Sequence, residues 1–262
     1  MKVASKNSAG KDVPIRRGGR YVLSETEQPY SVTTVLNGGL PKQHVLMGWA
    51  ARVAALAILD DPSLSVEEAV GKIYEKRDSA GGKGTTLHAW AELVTKGVTP
   101  DVSLLPEALQ PQGRAFLKFC QDRQPEVLMN EFMVYAPDLY AAGQVDRCLR
   151  FPSDTYAEGE ADILDLKTGR GLYPEMFVQQ AVYRHAMNTT GKGFRRAVDA
   201  EGNSFIEWYP VPKCRKTFLL HLRDTGDYSL VQGEGSLDVF RAAKVIYEWE
   251  VSNKDKRDPS TA

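Results

Sequence analysis

The run DILDLKTG (162–169) sets an acid and a base, Asp165 and Lys167, two residues apart among Ile163, Leu164 and Leu166. Side chains of a strand alternate between faces, so Ile163, Asp165 and Lys167 share one side and the leucines the other. Desolvating both charges is costly unless they pair with each other or are compensated by a metal ion or bound anion. Further polar groups occur in Gly84-Thr85-Thr86-Leu87-His88, at Glu131, in Gly143-Gln144-Val145-Asp146 and in Gln179-Gln180-Ala181-Val182-Tyr183. Singly, each has an ordinary structural reading: a satisfied helical histidine, a solvated strand acid, an Asp146–Arg147 ion pair, a core tyrosine. In combination they suit metal chemistry. Carboxylates from neighbouring strands, Asp146 and Asp165, match a hard cation such as Mg2+, which takes oxygen ligands. Such an ion activates water and polarises a phosphoryl oxygen. Lys167 would orient or deprotonate that water and oppose charge developing on the phosphorane.

The elements that must position these groups follow from periodicity and punctuation. YSVTTVLNGGLP (30–41) reads as a short extended segment stopped by Asn-Gly-Gly and Pro. An alanine-rich helix spans 44–59, and a second, opened by Ser65 with Glu67 and Glu68 in its first turn, spans 66–77. GGKG (81–84) breaks the chain before a helix from Thr85 or Thr86 to about Lys96, and another runs from about Glu107 to Arg123. Strands at 131–136, 142–151 and 161–168 form an antiparallel meander; a helix at 174–187, strands at 208–212 and 216–223 and a closing helix at 237–251 follow. The expected class is α/β (α+β), a central mixed sheet of about five strands flanked by helices. Residues 1–25 are expected to be flexible, 26–251 to form one domain with a helical part (44–123) and a sheet core (126–223), and 252–262 to be a disordered tail.

Composition narrows the classes. The chain has 262 residues, 42% of them hydrophobic, and a formal net charge of −1, which neither demands nor excludes a nucleic-acid partner. Cys120, Cys148 and Cys214 lie far apart, against a disulfide framework or a four-cysteine metal site. No stretch approaches the ~20 apolar residues of a membrane span, and the polar N-terminus lacks a secretory hydrophobic region. The cytoplasm is the expected compartment, the host's if the chain is phage-encoded, with no membrane partner.

The order Gly84-Thr85-x-x-His88, Gly143-x-x-Asp146, Asp165-x-Lys167-Thr168-Gly169 and Gln179-x-x-x-Tyr183 resembles the PD-(D/E)XK nuclease superfamily, closest to its RecB-like branch with phage-type exonucleases. The resemblance covers roughly residues 30–190, SVTTVL and WAARVAALA included. It implies a restriction-endonuclease-like core and a metal-dependent DNA nuclease acting on DNA ends in replication or recombination. It implies one or two Mg2+ or Mn2+ ions held by Asp146, Asp165, His88, the backbone carbonyl of Leu166 and Glu131. Lys167 would be the catalytic lysine, acting with Asp165 and Asp146, and Gln179 and Tyr183 would lie on a DNA-facing helix. Iron–sulfur relatives carry four cysteines around the core; this chain has three, differently placed, so no cluster is carried over. No G-x-x-x-x-G-K-[ST] loop is present, so a helicase, like a recombinase or single-strand-binding protein, would be another chain.

A backbone route needs positive charge. Arg147, Thr168, Arg170 and Arg184 are candidate DNA contacts, extended by His185, Lys192, Arg195 and Arg196, by Lys213, Arg215 and Lys216, and by an arm of Lys11, Arg16, Arg17 and Arg20. Trp49, Trp90, Tyr173 and Phe177 are aromatic surfaces on which bases can stack, core packing being their commoner use. Three other functions compete. A structure-specific endonuclease or nickase would use the same site. A non-catalytic DNA-binding module would keep only the fold. An unrelated hydrolase on His88 and Glu92 lacks the H-E-x-x-H or G-x-S-x-G it would need.

Overall fold

The computed structural model describes residues 16–41, 43–98 and 100–254. One ten-stranded mixed sheet, larger than the five strands expected, is flanked by helices. Its long path runs β10(Tyr228–Gly233), β9(Lys213–Leu222), β6(Glu160–Lys167), β5(Ala141–Arg150), β4(Glu126–Ala136), β7(Lys192–Val198), β8(Ser204–Pro210). Pairing is antiparallel except β6 with β9, which is parallel. The short strands β1(Arg16–Arg17), β2(Arg20–Tyr21) and β3(Tyr30–Ser31) join through a parallel pairing of β3 with the first residues of β5. Thus residues 16–25, expected to be loose, supply two strands, with Tyr21 buried against Phe194. Residues 1–15 of the expected flexible segment, Lys11 among them, and 255–262 of the expected tail lie outside the described residues.

The strand alternation read from DILDLK is present: Ile163 packs in one core cluster, Leu164 and Leu166 in another. The first cluster lies under α1(Val32–Gly39), α5(Pro174–Thr190) and α6(Leu237–Ser252), with Val35, Val182, Met187 and Phe240 at its centre. The second lies under the C-terminal half of α3(Val66–Thr95) and α4(Gln110–Arg123), with Leu87, Trp90, Phe116 and Phe119. Amphipathic helices covering both faces of a sheet give the layered α/β arrangement.

Two local expectations are corrected. SVTTVLNGG is not extended: after Ser31 it forms α1, burying Val32, Val35 and Leu36. Burial of that apolar stripe outweighs the weak helix propensity of β-branched residues. The Gly-Gly pair is a packing device: a Cβ on Gly39 would lie 1.9 Å from the Ala243 carbonyl oxygen of α6. Nor does GGKG break the helix. The 30-residue α3, opened by a Ser65–Glu68 capping box, runs through it. Interior glycines cost about 1 kcal/mol each, and packing of Leu87, Trp90 and Ala91 into the second core offsets that cost. Strands β7 and β10 were not anticipated, and the strand expected at 208–212 is β8, which begins earlier, at Ser204, and ends at Pro210. α2(Gln43–Asp60) lies against α3. Among the described residues no helix is long and apolar enough to cross a membrane.

Candidate metal centre

The sheet forks where the site lies. β3 pairs with Ala141 and Ala142 of β5, and β6 pairs with Arg147, Cys148 and Leu149. Because β4 occupies the opposite edge of β5 along its length, β3 and β6 must share one edge, and Gly143–Asp146 lies in the gap between them. Beyond Leu164, β6 leaves β5, and Asp165, Leu166 and Lys167 pair with β9 alone. The backbone N–H of Leu166, freed from the ladder, donates instead to Asp146 Oδ2 at 2.9 Å. One carboxylate oxygen thus satisfies a buried amide that would otherwise be costly.

The partner strand is irregular at the same level. Glu131 has φ of +49°, a left-handed conformation that costs a non-glycine residue about 1–3 kcal/mol. Across it, β5 changes faces: Val145 and Cys148 pack in the first core cluster, Leu149 in the second. The irregularity turns the carboxylate of Glu131 towards Asp146, where Gln144 Nε2 donates to it. His88 arrives from α3. Its Nδ1 lies 3.6 Å from Glu131 and 3.5 Å from Asp146, and its Nε2 lies 3.2 Å from the carbonyl oxygen of Leu166. One ligand atom from each of His88, Glu131 and Asp146 falls within 4.8 Å of the others, a spacing that suits one cation.

Asp165 stands beside this trio, with its Oδ2 2.6 Å from Lys167 Nζ. The approach is close but misaligned, so Asp165 Oδ2 is buried without a proper hydrogen bond. Burial and the neighbouring Asp146 push the Asp165 carboxyl up, while Lys167 and His88 pull it back. Burial opposes the charge on Lys167, yet Asp165 and Asp146 outweigh it and raise its ammonium. Burial likewise opposes protonation of His88, but Asp146 and Glu131 prevail and hold its imidazolium up to about 9. A surplus of carboxylates therefore retains a proton on histidine. The centre is open: His88, Glu131 and Lys167 keep 26%, 28% and 20% of their side chains exposed.

The remaining predicted residues divide. Tyr183, at 2% exposure, does not reach the surface; its ring lies on Gly143 and its hydroxyl accepts from Gln179 Nε2 at 2.8 Å. Arg147 is buried at 1% over the ring of Phe116, with no hydrogen-bond partner for its guanidinium nitrogens among the described residues. Neither offers a side chain to DNA as folded. Thr168 is half-buried and Arg170 exposed in the loop leaving Lys167. Arg184 is exposed, but its charge acts on Cys214, which faces Ala161 at the far end of β6. Several other candidate contacts are engaged elsewhere: Arg195 with Glu207, His185 with Asp138, and Arg215 and Lys216 with Asp154. Arg16 and Arg20 bind Ser31 and the Gln28 carbonyl.

Two contributors escaped the sequence reading. Gln144 steadies Glu131, and His221, opposite Lys167 across β6 and β9, donates from Nε2 to the Gly169 carbonyl at 2.7 Å, pinning the loop after the lysine. Nothing local marks His221, which sits in an apolar strand; only the parallel pairing reveals it. No protein-family model matches the chain, and no curated protein matches it.

Proposed function

We propose that this chain is a metal-dependent deoxyribonuclease that hydrolyses phosphodiester bonds, attacking DNA ends as an exonuclease. The observation that carries the reading is the meeting of His88, Glu131 and Asp146 within 4.8 Å, beside the Asp165–Lys167 pair at an open fork in the sheet. The donor set, carboxylates with one imidazole, fits Mg2+ or Mn2+. Asp146 and Asp165 would hold the ion, with His88, Glu131 and the Leu166 carbonyl as further donors. When bound, the ion supplies Lewis acidity and a more acidic water. His88 must release its proton to ligate. Lys167, kept cationic by its two acidic neighbours, orients the attacking water and offsets charge on the phosphoryl oxygens. Tyr183 and Gln179 act beneath the site, fixing Gly143 and through it β5. The preference for ends rests on the motif resemblance.

The test is cleavage of linear and covalently closed circular DNA with Mg2+ or Mn2+. Lys167→Ala and Asp165→Ala should each lower turnover by about 10²–10³, with linear DNA degraded and closed circles spared. Undiminished cleavage by either variant removes the mechanism, and cutting of closed circles makes the enzyme an endonuclease.

A further inference from the structure

Gly48, Trp49 and Arg52 of α2 and Arg170 of the loop after β6 line an open pocket of about 240 Å³. Arg170 follows Lys167 by three residues, at most about 10 Å of chain, and that loop is anchored through the His221–Gly169 bond. Arg52 and Arg170 are both exposed, and neither has an acidic partner among the described residues. They differ in this from Arg195 and Arg215, whose charges are spent on Glu207, Asp154 and Asp162. Trp49 is half-buried, whereas Trp90 is packed against Phe116 and Trp208 against Phe194. Gly48 sits inside a helix, where glycine costs about 1 kcal/mol, yet a Cβ there would meet nothing within 4 Å. Packing does not require that glycine, which leaves the wall beside Trp49 without a side chain.

An aromatic face with two free cations, next to a phosphodiester-hydrolysing centre, is complementary to one nucleotide. We propose that the pocket receives the nucleotide adjacent to the scissile phosphate, its base stacked on Trp49 and its phosphate held by Arg52 and Arg170. The inference rests on the nuclease reading and deepens it. A base inside a duplex has both faces covered by its neighbours and a terminal one has a single free face, so stacking on Trp49 favours an unpaired strand: a single-stranded end or overhang.

The test uses the full chain carrying Lys167→Ala, so that the strand survives, and fluorescence anisotropy of a labelled oligothymidylate of about 12 nucleotides. Trp49→Ala should weaken binding about tenfold, with Trp49→Phe recovering most of it. One abasic position should weaken binding when Trp49 is present and have no effect in Trp49→Ala. Arg52→Gln and Arg170→Gln should each reduce the slope of log affinity against log salt by about 0.7. A blunt duplex of the same length should bind more weakly than the single strand. Unchanged affinity in Trp49→Ala, or an abasic penalty that persists in it, overturns the pocket. Should Trp49→Ala fail to fold, the two arginine variants decide, and an unaltered salt slope overturns the pocket. If the unmodified protein cleaves no DNA with Mg2+ or Mn2+, the nuclease reading fails while these affinities still report on the pocket. If it cleaves and the Trp49 and arginine variants bind normally, the pocket alone fails.

Discussion

Gly143 opens the Gly-x-x-Asp run, and the structure gives it a mechanical reason. A Cβ at this position would stand 2.2 Å from Tyr183 Cε1 and 2.8 Å from its hydroxyl oxygen. The ring is 2% exposed and tethered by Gln179, so it has little room to swing away. Gly143→Ala must therefore move β5 or α5 by about 1 Å to restore ordinary contact, an overpacking cost of about 1–3 kcal/mol. For a chain of this size about 2 kcal/mol lowers Tm by roughly 4–8 °C. A shift of β5 also displaces Asp146, three residues on, so Mn2+ affinity measured by calorimetry should fall with stability. The decisive assay is a double-mutant cycle by urea denaturation. In a Tyr183→Ala background the added methyl meets no ring and should cost almost nothing, giving a coupling energy of about 1–3 kcal/mol. Strictly additive effects, or a Gly143→Ala protein with unchanged Tm and Mn2+ affinity, would refute the idea that these two motif residues form one contact.

Three further outcomes follow from the same geometry. Arg147→Met removes a buried guanidinium that lacks hydrogen bonds and should be neutral or stabilising by about 1–4 kcal/mol in thermal melts; the salt slope of DNA binding should stay the same, and a drop of about 1 would reveal a phosphate contact instead. His221→Leu frees the Gly169 carbonyl and should lower kcat/KM up to about tenfold, the worth of one hydrogen bond, with His221→Gln restoring part of it; full activity in the leucine variant would remove the anchoring role. Arg215 and Lys216 hold the Asp154 carboxyl below its ordinary 3.8. A depressed folded-state value stabilises above the unfolded value and is lost as pH falls through the folded one, so Tm should decline below about pH 4. Asp154→Asn should flatten that acid limb, and an unchanged limb would show that the pair contributes nothing.

The sequence by itself determined the strand alternation of DILDLK, the closing helix at 237–251, the α/β class and the polar residues worth watching, because these depend on period and residue type along a short run. It misjudged SVTTVLNGG and GGKG for a related reason: propensity and punctuation are weak terms, and burial of Val35 and Leu36 on α1, and of Leu87 and Trp90 on α3, outweighed them. Where the candidate site residues lie was decided only by tertiary structure. Tyr183 and Arg147 carry the chemistry of DNA contacts in their side chains, yet one lies under β5 and the other under α4. Glu131 joins His88 and Asp146 because a left-handed residue turns it inwards. His221 and Trp49 gain meaning from a parallel strand pairing and from a helix lying beside a loop 120 residues later. Such proximity is a property of the packed chain: residues that meet through closure of a long loop leave no local period in the sequence, only types that many unrelated positions share.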